Sequence, residues 1–192
     1  RLLEKLESAG PGAPLQPDWV MARLARHLPE GAILVDEAIT SGRALNSLVP
    51  YTDRHSYFGN VSGGIGWGIA AAVGVQLAKP ERRVVAVIGD GSAMYSIQAL
   101  WTAANCKLPI TFIICNNGGY RIIKQRLKAF HGNDQFIGMD FKEPSIDYAA
   151  LARSMGLSAE RVETGEALDA ALAKTFAGSA PTLLEVMVDG SV

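Results

Sequence analysis

The chain has little cysteine and almost no net charge. Two cysteines in 192 residues cannot make a disulfide framework, and Cys106 and Cys115 lack the spacing of a metal-binding or redox pair. This scarcity favours a reducing compartment, and we expect the cytosol. The formal charge is −1, from 18 basic and 19 acidic residues. Such a balance gives no electrostatic reason to expect a nucleic acid or an anionic membrane surface as partner.

Long hydrophobic runs are also missing. The longest apolar stretch, from Ile65 to Ala78, is shorter than a bilayer span and is broken by Gly68, Gly74 and Gln76. The first five residues are amphipathic and have no small-residue cleavage site, so we expect no secretory signal. Because the sequence begins with arginine instead of methionine, it could be a piece of a larger protein. We expect residues 1–16 to form an arm or interdomain linker and residues 17–192 to form one domain.

What the sequence does contain is an alternation of short apolar runs with helical patterns. A continuous apolar run bounded by turn residues is typical of a strand buried on both faces. Strands that alternate with helices predict an α/β fold, a doubly wound and mainly parallel sheet with helices on both faces. The predicted strands are 32–35, 57–58, 84–88, 110–115, 161–162 and 182–188, and the predicted helices are 17–28, 66–78, 93–105, 120–130, 146–155 and 165–176.

Polar residues follow two of these predicted strands. Gly89-Asp90-Gly91-Ser92 ends one strand, and Asn116-Asn117-Gly118-Gly119 ends the next along the chain. A single helix joins the two strands, so they should be adjacent and parallel, with Asp90 near Asn117. Ligands of parallel α/β sheets bind at these strand ends. Carboxylate, amide and carbonyl oxygens suit Mg²⁺ better than zinc, and a helix that begins near Ser92 would direct its N–H groups at a phosphate.

These segments resemble the signature of thiamine diphosphate-dependent enzymes. Gly89-Asp90-Gly91, 24 intervening residues and Asn116-Asn117 are similar to the motif of the benzoylformate decarboxylase and acetolactate synthase superfamily. The resemblance runs from about Pro17 to Val188 and corresponds to the last third of such an enzyme. Further matching segments are 63–66, 74–78, 87–93, 99–104 and 146–152.

The resemblance implies roles for individual residues. Asp90 and the Asn117 side chain would bind Mg²⁺, with the backbone carbonyl of Gly119 as a third protein ligand. The carbonyl of Gly63 would accept from the aminopyrimidine, and Ile65 would lie under the thiazolium and enforce the bent shape of the cofactor. Contacts to the diphosphate are implied for three residues, Gly91, Ser92 and Tyr120.

The resemblance also implies an activity and a partner. We expect the cofactor-binding domain of a thiamine diphosphate- and Mg²⁺-dependent decarboxylase of a small 2-oxoacid, in a homo-oligomer. An acetolactate synthase-like carboligase is the alternative. The glutamate that protonates the pyrimidine belongs to a pyrimidine-binding domain, normally from a neighbouring subunit, and no segment here resembles that domain. We therefore expect weak cofactor binding and no turnover by this chain alone; a non-catalytic module remains a further alternative.

Two differences from benzoylformate decarboxylase concern the surroundings of the site. After the first strand, only Thr40 or Ser41 could contribute a hydroxyl near the diphosphate. Arg121-Ile122-Ile123-Lys124 replaces smaller residues on a helix that helps to line the substrate pocket in the family. This difference weakens the expectation of an aromatic 2-oxoacid substrate.

Other residues have competing interpretations. The glycines at 66 and 68, with Ala71, fit a dinucleotide fingerprint, so a nicotinamide-dependent oxidoreductase is the rival hypothesis. It leaves Asn116-Asn117 unexplained. The scattered histidines suggest no metal site, and we interpret Glu37 as an exposed strand-end residue without a catalytic role. Three basic residues at helical spacing are interpreted as a solvated helix face, with a contact to a substrate carboxylate or a partner as the alternative, namely Arg121, Lys124 and Lys128.

Overall fold

One six-stranded sheet crosses the molecule. The structure, a computed structural model, describes all 192 residues. The strands are β1 (Ile33–Glu37), β2 (Tyr57–Gly59), β3 (Val84–Gly89), β4 (Thr111–Asn116), β5 (Ser158–Val162) and β6 (Thr182–Met187). They lie in the order β2-β1-β3-β4-β6-β5, and every neighbouring pair is parallel. The predicted parallel α/β fold is confirmed.

Helices cover both faces of this sheet. They are α1 (Leu2–Ser8), α2 (Pro17–His27), α3 (Leu45–Leu48), α4 (Gly68–Ala78), α5 (Asp90–Ala93), α6 (Ala99–Asn105), α7 (Arg121–His131), α8 (Tyr148–Ser154) and α9 (Gly165–Ala177). One hydrophobic cluster contains residues of α2 and α9, and the other contains residues of α4, α6 and α8. None of the helices is both long and apolar enough to span a membrane.

The central strands supply both hydrophobic clusters at once. Along β3, Val85 and Val87 face one cluster, whereas Ala86 and Ile88 face the other. Successive side chains of a strand point to opposite faces, so a strand covered on both sides must be apolar throughout. This requirement explains the unbroken apolar runs in the sequence. It also leaves the strand ends as the place where polar groups can collect.

The segment expected to be an arm or linker packs on the domain. Helix α1 lies against α2, where Glu7 accepts hydrogen bonds from Arg23 at 2.7 Å and Arg26 at 2.8 Å. Leu15 is fully buried, and its carbonyl accepts from Asp189 N at 2.9 Å. These contacts tie the two ends of the chain to one side of the sheet.

The helix expected over 93–105 is instead two shorter pieces. Between α5 and α6 the chain makes i to i−3 hydrogen bonds, such as Tyr95 N to Ser92 O at 3.2 Å and Ala99 N to Ser96 O at 3.0 Å. Side-chain spacing in such tight turns is close to that of an α-helix, so the periodicity did not reveal the break. The helix predicted to begin near Ser92 is therefore the four-residue α5.

The strand order reverses direction between β1 and β3. From β1 the chain runs outward to β2 and then returns to place β3 on the other side of β1. In open α/β sheets, the crevice outside the carboxyl ends at such a switch point is the usual ligand site. Here that crevice lies beyond Glu37 at the end of β1 and Gly89 at the end of β3.

Candidate functional site

The turns after β3 and β4 meet at one buried carboxylate. Gly89 of β3 is in register with Cys115 of β4, so the chain beyond each strand emerges at the same edge. Asp90 is only 1% exposed, and its Oδ2 accepts from Gly119 N at 2.9 Å. The structure therefore brings Asp90 close to the Asn117–Gly119 segment, as their positions at the ends of two neighbouring strands predict.

The environment of Asp90 lacks a compensating positive charge. Burial raises the pKa of Asp90 to about 6, although hydrogen bonds from backbone N–H groups, including those of Gly91 and Gly119, oppose the increase. No basic side chain contributes to this shift. A buried carboxylate without a cationic partner is costly unless a cation binds to it. The site thus has the electrostatics of an ion-binding site.

Gly119 occupies a tight turn beside this carboxylate. Its carbonyl accepts from Arg121 N at 3.0 Å across Tyr120, whose φ of −82° and ψ of 66° are those of an inverse γ-turn. A carbonyl oxygen has a second lone pair, so this bond leaves it able to bind a further ligand. A Cβ at Gly119 would collide with the backbone oxygen of Met139, so the turn requires glycine here.

Tyr120 closes the turn over the start of α5. Its ring packs edge-on against Phe141, with centroids 4.8 Å apart and an interplanar angle of 75°. A Cβ at Gly91 would lie 2.7 Å from the Tyr120 ring, which explains why the position after Asp90 has no side chain. Ser92 is buried in the same short helix. All of these residues except Phe141 line one narrow cleft with Asp90.

The glycine-rich turn reaches the cleft that contains Asp90 through Ile65. Asn60 shapes it: its Oδ1 accepts from Gly63 N at 2.9 Å, and its Nδ2 donates to Gly64 O at 2.9 Å. Gly63 has a φ of +77°, which favours glycine. Ile65 lines the cleft, whereas Gly63 does not.

The interpretation of Glu37 as an exposed residue is wrong. Its side chain is buried, with the residue only 2% exposed. Oε1 accepts from Gly66 N at 2.6 Å and Trp67 N at 3.2 Å, and Oε2 accepts from Gly68 N at 2.9 Å. The carboxylate thus satisfies three N–H groups at the start of α4. The partners lie about thirty residues away in sequence, so a local pattern could not reveal them.

This contact also argues against a dinucleotide site at the same glycines. A pyrophosphate would need the free N–H groups of a helix N-terminus that directly follows a strand. Here Glu37 already occupies those groups, and residues 60–67 separate β2 from α4. The geometry gives the nicotinamide hypothesis no phosphate cradle.

The basic residues of α7 do not all lie on a solvated face. Lys124 is only 8% exposed, and its Nζ donates to Asp140 Oδ1 at 2.5 Å. This ammonium holds the pKa of the Asp140 carboxyl below its usual range. Lys128 is exposed and donates to the carbonyl of Val192 at 2.9 Å, and Arg121 donates to that of Ser191 at 2.9 Å. The expectation of a solvated face was thus wrong for Lys124.

The cleft around Asp90 is small, whereas a larger cavity lies beyond the Asn117 turn. The cleft has a volume of about 40 Å³, includes Ser41, Thr40 and Ile122, and is open to solvent. The second cavity, of about 580 Å³, is at the ends of β4 and β6. Asn117 lines both. We assign the candidate site to the small cleft because only there do an uncompensated carboxylate and the predicted ligand residues converge.

Histidines lie outside the site. His27 packs near Asp169, with Nε2 3.2 Å from Oδ1, and His55 lies 3.9 Å from Asp53. No group of three His, Cys, Asp or Glu side chains is arranged to hold a metal ion. A cation at Asp90 would therefore depend on amide, carbonyl and non-protein oxygens in addition to the single carboxylate.

Comparison with known proteins gives a consistent result. Residues 40–186 match the family described as thiamine pyrophosphate enzyme, C-terminal TPP binding domain. The chain is 39% identical over 175 residues to a benzoylformate decarboxylase of Pseudomonas aeruginosa, covering 91% of this chain and 33% of that protein. It is also 39% identical over 170 residues to a putative acetolactate synthase large subunit of Mycobacterium tuberculosis, covering 86% and 33%.

Solved structures show the same similarity. A thiamine diphosphate-dependent 4-hydroxybenzoylformate decarboxylase of Rhodococcus jostii superimposes with a TM-score of 0.86 at 39% identity, over 93% of this chain and 33% of that one. A benzoylformate decarboxylase of Polynucleobacter necessarius gives 0.87 at 25% identity, over 94% and 34%. The chain spans about a third of the length of these relatives. It belongs to the thiamine pyrophosphate enzyme family and corresponds to the C-terminal domain that binds this cofactor, thiamine diphosphate.

Proposed function

We propose that this chain holds Mg²⁺ and the diphosphate of thiamine diphosphate in a 2-oxoacid decarboxylase. The observation that carries the proposal is the buried carboxylate of Asp90, which meets the Asn117–Gly119 turn without a basic partner. Mg²⁺ prefers oxygen ligands and usually keeps some positions for water and phosphate. Asp90, the Asn117 amide and the Gly119 carbonyl offer only a part of its shell. That donor set fits an ion shared with a diphosphate.

The residues around the ion would anchor the rest of the diphosphate. Gly91, Ser92 and Tyr120 line the cleft beside Asp90, and the missing side chain at Gly91 allows close backbone approach. Thr40 and Ser41 approach from the end of β1 and could add a hydroxyl. Burial of Ser92 and Asp90 lowers the local dielectric constant, which strengthens their interaction with a charged ligand.

The glycine-rich turn would position the organic part of the cofactor. The Gly63 carbonyl would accept from the aminopyrimidine, and Ile65 would support the thiazolium. Asn60 and Glu37 fix this turn from both sides through backbone hydrogen bonds. Their role is to keep the turn in one conformation before the ligand arrives, which lowers the entropy lost on binding.

The bound cofactor supplies an electron sink for the pair released when the 2-oxoacid loses CO₂. Decarboxylation of a benzoylformate-like acid is supported by the names of the Pseudomonas and Rhodococcus relatives. Carboligation is the second candidate, supported by the equally identical putative acetolactate synthase. Arg121 and Ile122 line the cleft, and their bulk weakens the case for an aromatic 2-oxoacid over a smaller one. Incubation of the assembled enzyme with benzoylformate or pyruvate, followed by product analysis, separates aldehyde release from carboligation.

A second domain would complete the active site. The relatives are about three times as long as this chain, so we propose that a pyrimidine-binding domain, from a neighbouring subunit of a homo-oligomer, supplies the activating glutamate. A cytosolic location remains our proposal on the basis of cysteine usage. The chain alone should bind cofactor weakly and should not decarboxylate. Turnover of pyruvate or benzoylformate by the purified 192-residue chain would contradict this.

The decisive test is the Asp90→Ala variant. We expect it to weaken Mg²⁺-dependent binding of thiamine diphosphate by about 100-fold or more, because a charged ligand to the ion is lost. Isothermal titration and the shift in melting temperature would measure the effect, with NAD as the competing ligand. Asp134→Ala removes an exposed carboxylate and is the matched control. Unchanged affinity in Asp90→Ala, or stabilisation by NAD alone, would refute the assignment.

A further inference from the structure

A buried glutamate with no part in the proposed ligand set lies behind the site. Glu185 of β6 is fully buried, with 0% exposure. Its carboxylate has three hydrogen-bond partners: Asn116 Nδ2 at 2.7 Å, Arg161 at 3.0 Å and the backbone N of Ala149 at 3.2 Å. Placing a charge in a sheet core is expensive, and it is tolerated only with such complete hydrogen bonding. Its partners therefore indicate what it does.

The first connection leads to the Asn117 turn. Asn116 lies on β4 two residues beyond Ile114, the residue paired with Glu185, so the two side chains are diagonal neighbours on one face. While its Nδ2 donates to Glu185, the Oδ1 of Asn116 accepts from Gly118 N at 3.0 Å. Glu185 thus fixes the orientation of the amide that holds the turn at Gly118.

The second connection leads to the Asp90 turn. Glu185 Oε2 accepts from Ala149 N in the first turn of α8. The preceding residue, Tyr148, is 1% exposed, and its hydroxyl donates to the backbone carbonyl of Asp90 at 2.9 Å. The same carboxylate therefore reaches the other half of the site through the start of α8.

We propose that Glu185 is a positioning residue that fixes the spacing between the Asp90 turn and the Asn117–Gly119 turn. One of its oxygens orients Asn116, and the other holds the helix start that carries Tyr148. The two turns must approach to within the span of one ion, and both are tied to the same rigid strand. The proposal rests on the proposed function only for what the two turns bind; the tether itself is a property of the ligand-free chain.

The ion pair with Arg161 provides a matched control. Arg161 is directly opposite Glu185 on β5, and it donates to Oε1, the same oxygen that accepts from Asn116. Its hydrogen bond joins Glu185 to β5 and to neither of the two turns. Arg161→Gln and Asn116→Ala therefore each remove one donor from Oε1 of Glu185. Asn116→Ala also removes the acceptor of Gly118 N, so only this variant cuts the tether.

The experiment compares these variants in two ways. Amide hydrogen exchange of Gly119, whose N–H donates to Asp90 Oδ2, reports the spacing of the two turns in the ligand-free chain. Titration of the assembled enzyme with thiamine diphosphate and Mg²⁺ reports the consequence for binding. In Asn116→Ala we expect Gly119 to exchange about 10-fold faster or more and the affinity to fall about 10- to 100-fold, the range for one hydrogen bond to a charged group. In Arg161→Gln both quantities should change less than about 3-fold, although the melting temperature falls.

Tyr148→Phe tests the second connection with minimal disturbance. It removes one oxygen and keeps the ring in the core, so it remains usable where Asn116→Ala does not fold. We expect the cofactor affinity to fall about 3- to 10-fold, the range for one neutral hydrogen bond. Unchanged affinity in Tyr148→Phe would remove the second half of the tether and overturn the proposal.

The outcomes separate this inference from the proposed function. Equal effects of Asn116→Ala and Arg161→Gln, or unchanged exchange at Gly119 in Asn116→Ala, would make Glu185 a purely structural residue. Absence of Mg²⁺-dependent binding by the unaltered, assembled enzyme, with faster exchange of Gly119 still seen in Asn116→Ala, would instead refute the proposed function and leave the tether supported. Fast exchange combined with weakened binding supports both.

Discussion

The two walls of the cleft are built in different ways. The buried wall contains Asp90, which is 1% exposed and is held by Gly119 and, through its carbonyl, by Tyr148. The open wall is formed by the glycine-rich turn around Ile65, in which Gly63 is exposed and Val61, two residues earlier, is fully exposed. Residues of this chain bury the first wall. The second wall is held by hydrogen bonds to Asn60 and Glu37, and its outer residues remain exposed.

This contrast indicates which part of the cofactor the chain can hold alone. The buried wall offers a carboxylate, backbone groups and a fixed geometry, which are the features that the proposed binding of Mg²⁺ and a diphosphate requires. The open wall presents the Ile65 side chain to the cleft, while Gly63 and Val61 are exposed to solvent. A flat aromatic ring needs contacts on more than one side to be held. The open wall therefore has the form expected of a surface that another domain covers.

The largest effect on the open wall is expected from Glu37→Ala. The change leaves three N–H groups at the start of α4 without their acceptor and removes a negative charge from that helix end. We expect a loss of about 3–4 kcal/mol in the free energy of unfolding, measured by urea denaturation. Glu81→Ala, at an exposed position, is the control and should change it by less than about 0.5 kcal/mol. A similarly small loss for Glu37→Ala would mean that water replaces the carboxylate.

A somewhat smaller effect is expected on the buried wall from Gly119→Ala. The added methyl group would collide with the backbone oxygen of Met139, which must move and carry the 139–141 segment with it. Overpacking of this kind costs about 2–3 kcal/mol. Cofactor binding should fall with it, because Gly119 N would leave Asp90. Calorimetric unfolding and ligand titration of the same variant measure the two effects.

Gly74→Ala is the matched control for this substitution. Gly74 is exposed in the middle of α4, and nothing lies within 4 Å of a Cβ added there. The change should stabilise the chain by about 0.5–1 kcal/mol because glycine is the poorer helix former. A loss in Gly74→Ala as large as that in Gly119→Ala would show that the cost is not specific to the turn.

The residues of the buried wall could be predicted from the sequence more completely than the residues that hold the two walls in place. Strand ends could be located from apolar runs, and the adjacency of β3 and β4 followed from one connecting helix, so Asp90 and Asn117 could be paired in advance. Glu37 and Glu185 could not be interpreted in this way, because their partners are fixed by tertiary packing. A carboxylate directly after an apolar strand, or inside one as in Leu183-Leu184-Glu185-Val186, is the available signal. This pattern predicts that the carboxylate is buried, but it does not predict which residues bind it.

The smallest effect on this chain is expected from Val61→Asp, and it tests the contrast directly. Because Val61 is fully exposed, a charge there should change the free energy of unfolding by less than about 0.5 kcal/mol. The same substitution at Val73, which is 6% exposed in α4, would bury a charge and should cost several kcal/mol. A loss above about 1 kcal/mol in Val61→Asp would mean that the open wall is packed within this chain. If a second domain covers the turn, Val61→Asp should weaken its association, measurable by sedimentation, while the stability of this chain is unchanged. That combination would mean that the turn is exposed in this chain because a second domain normally covers it, and not because the turn is loosely packed.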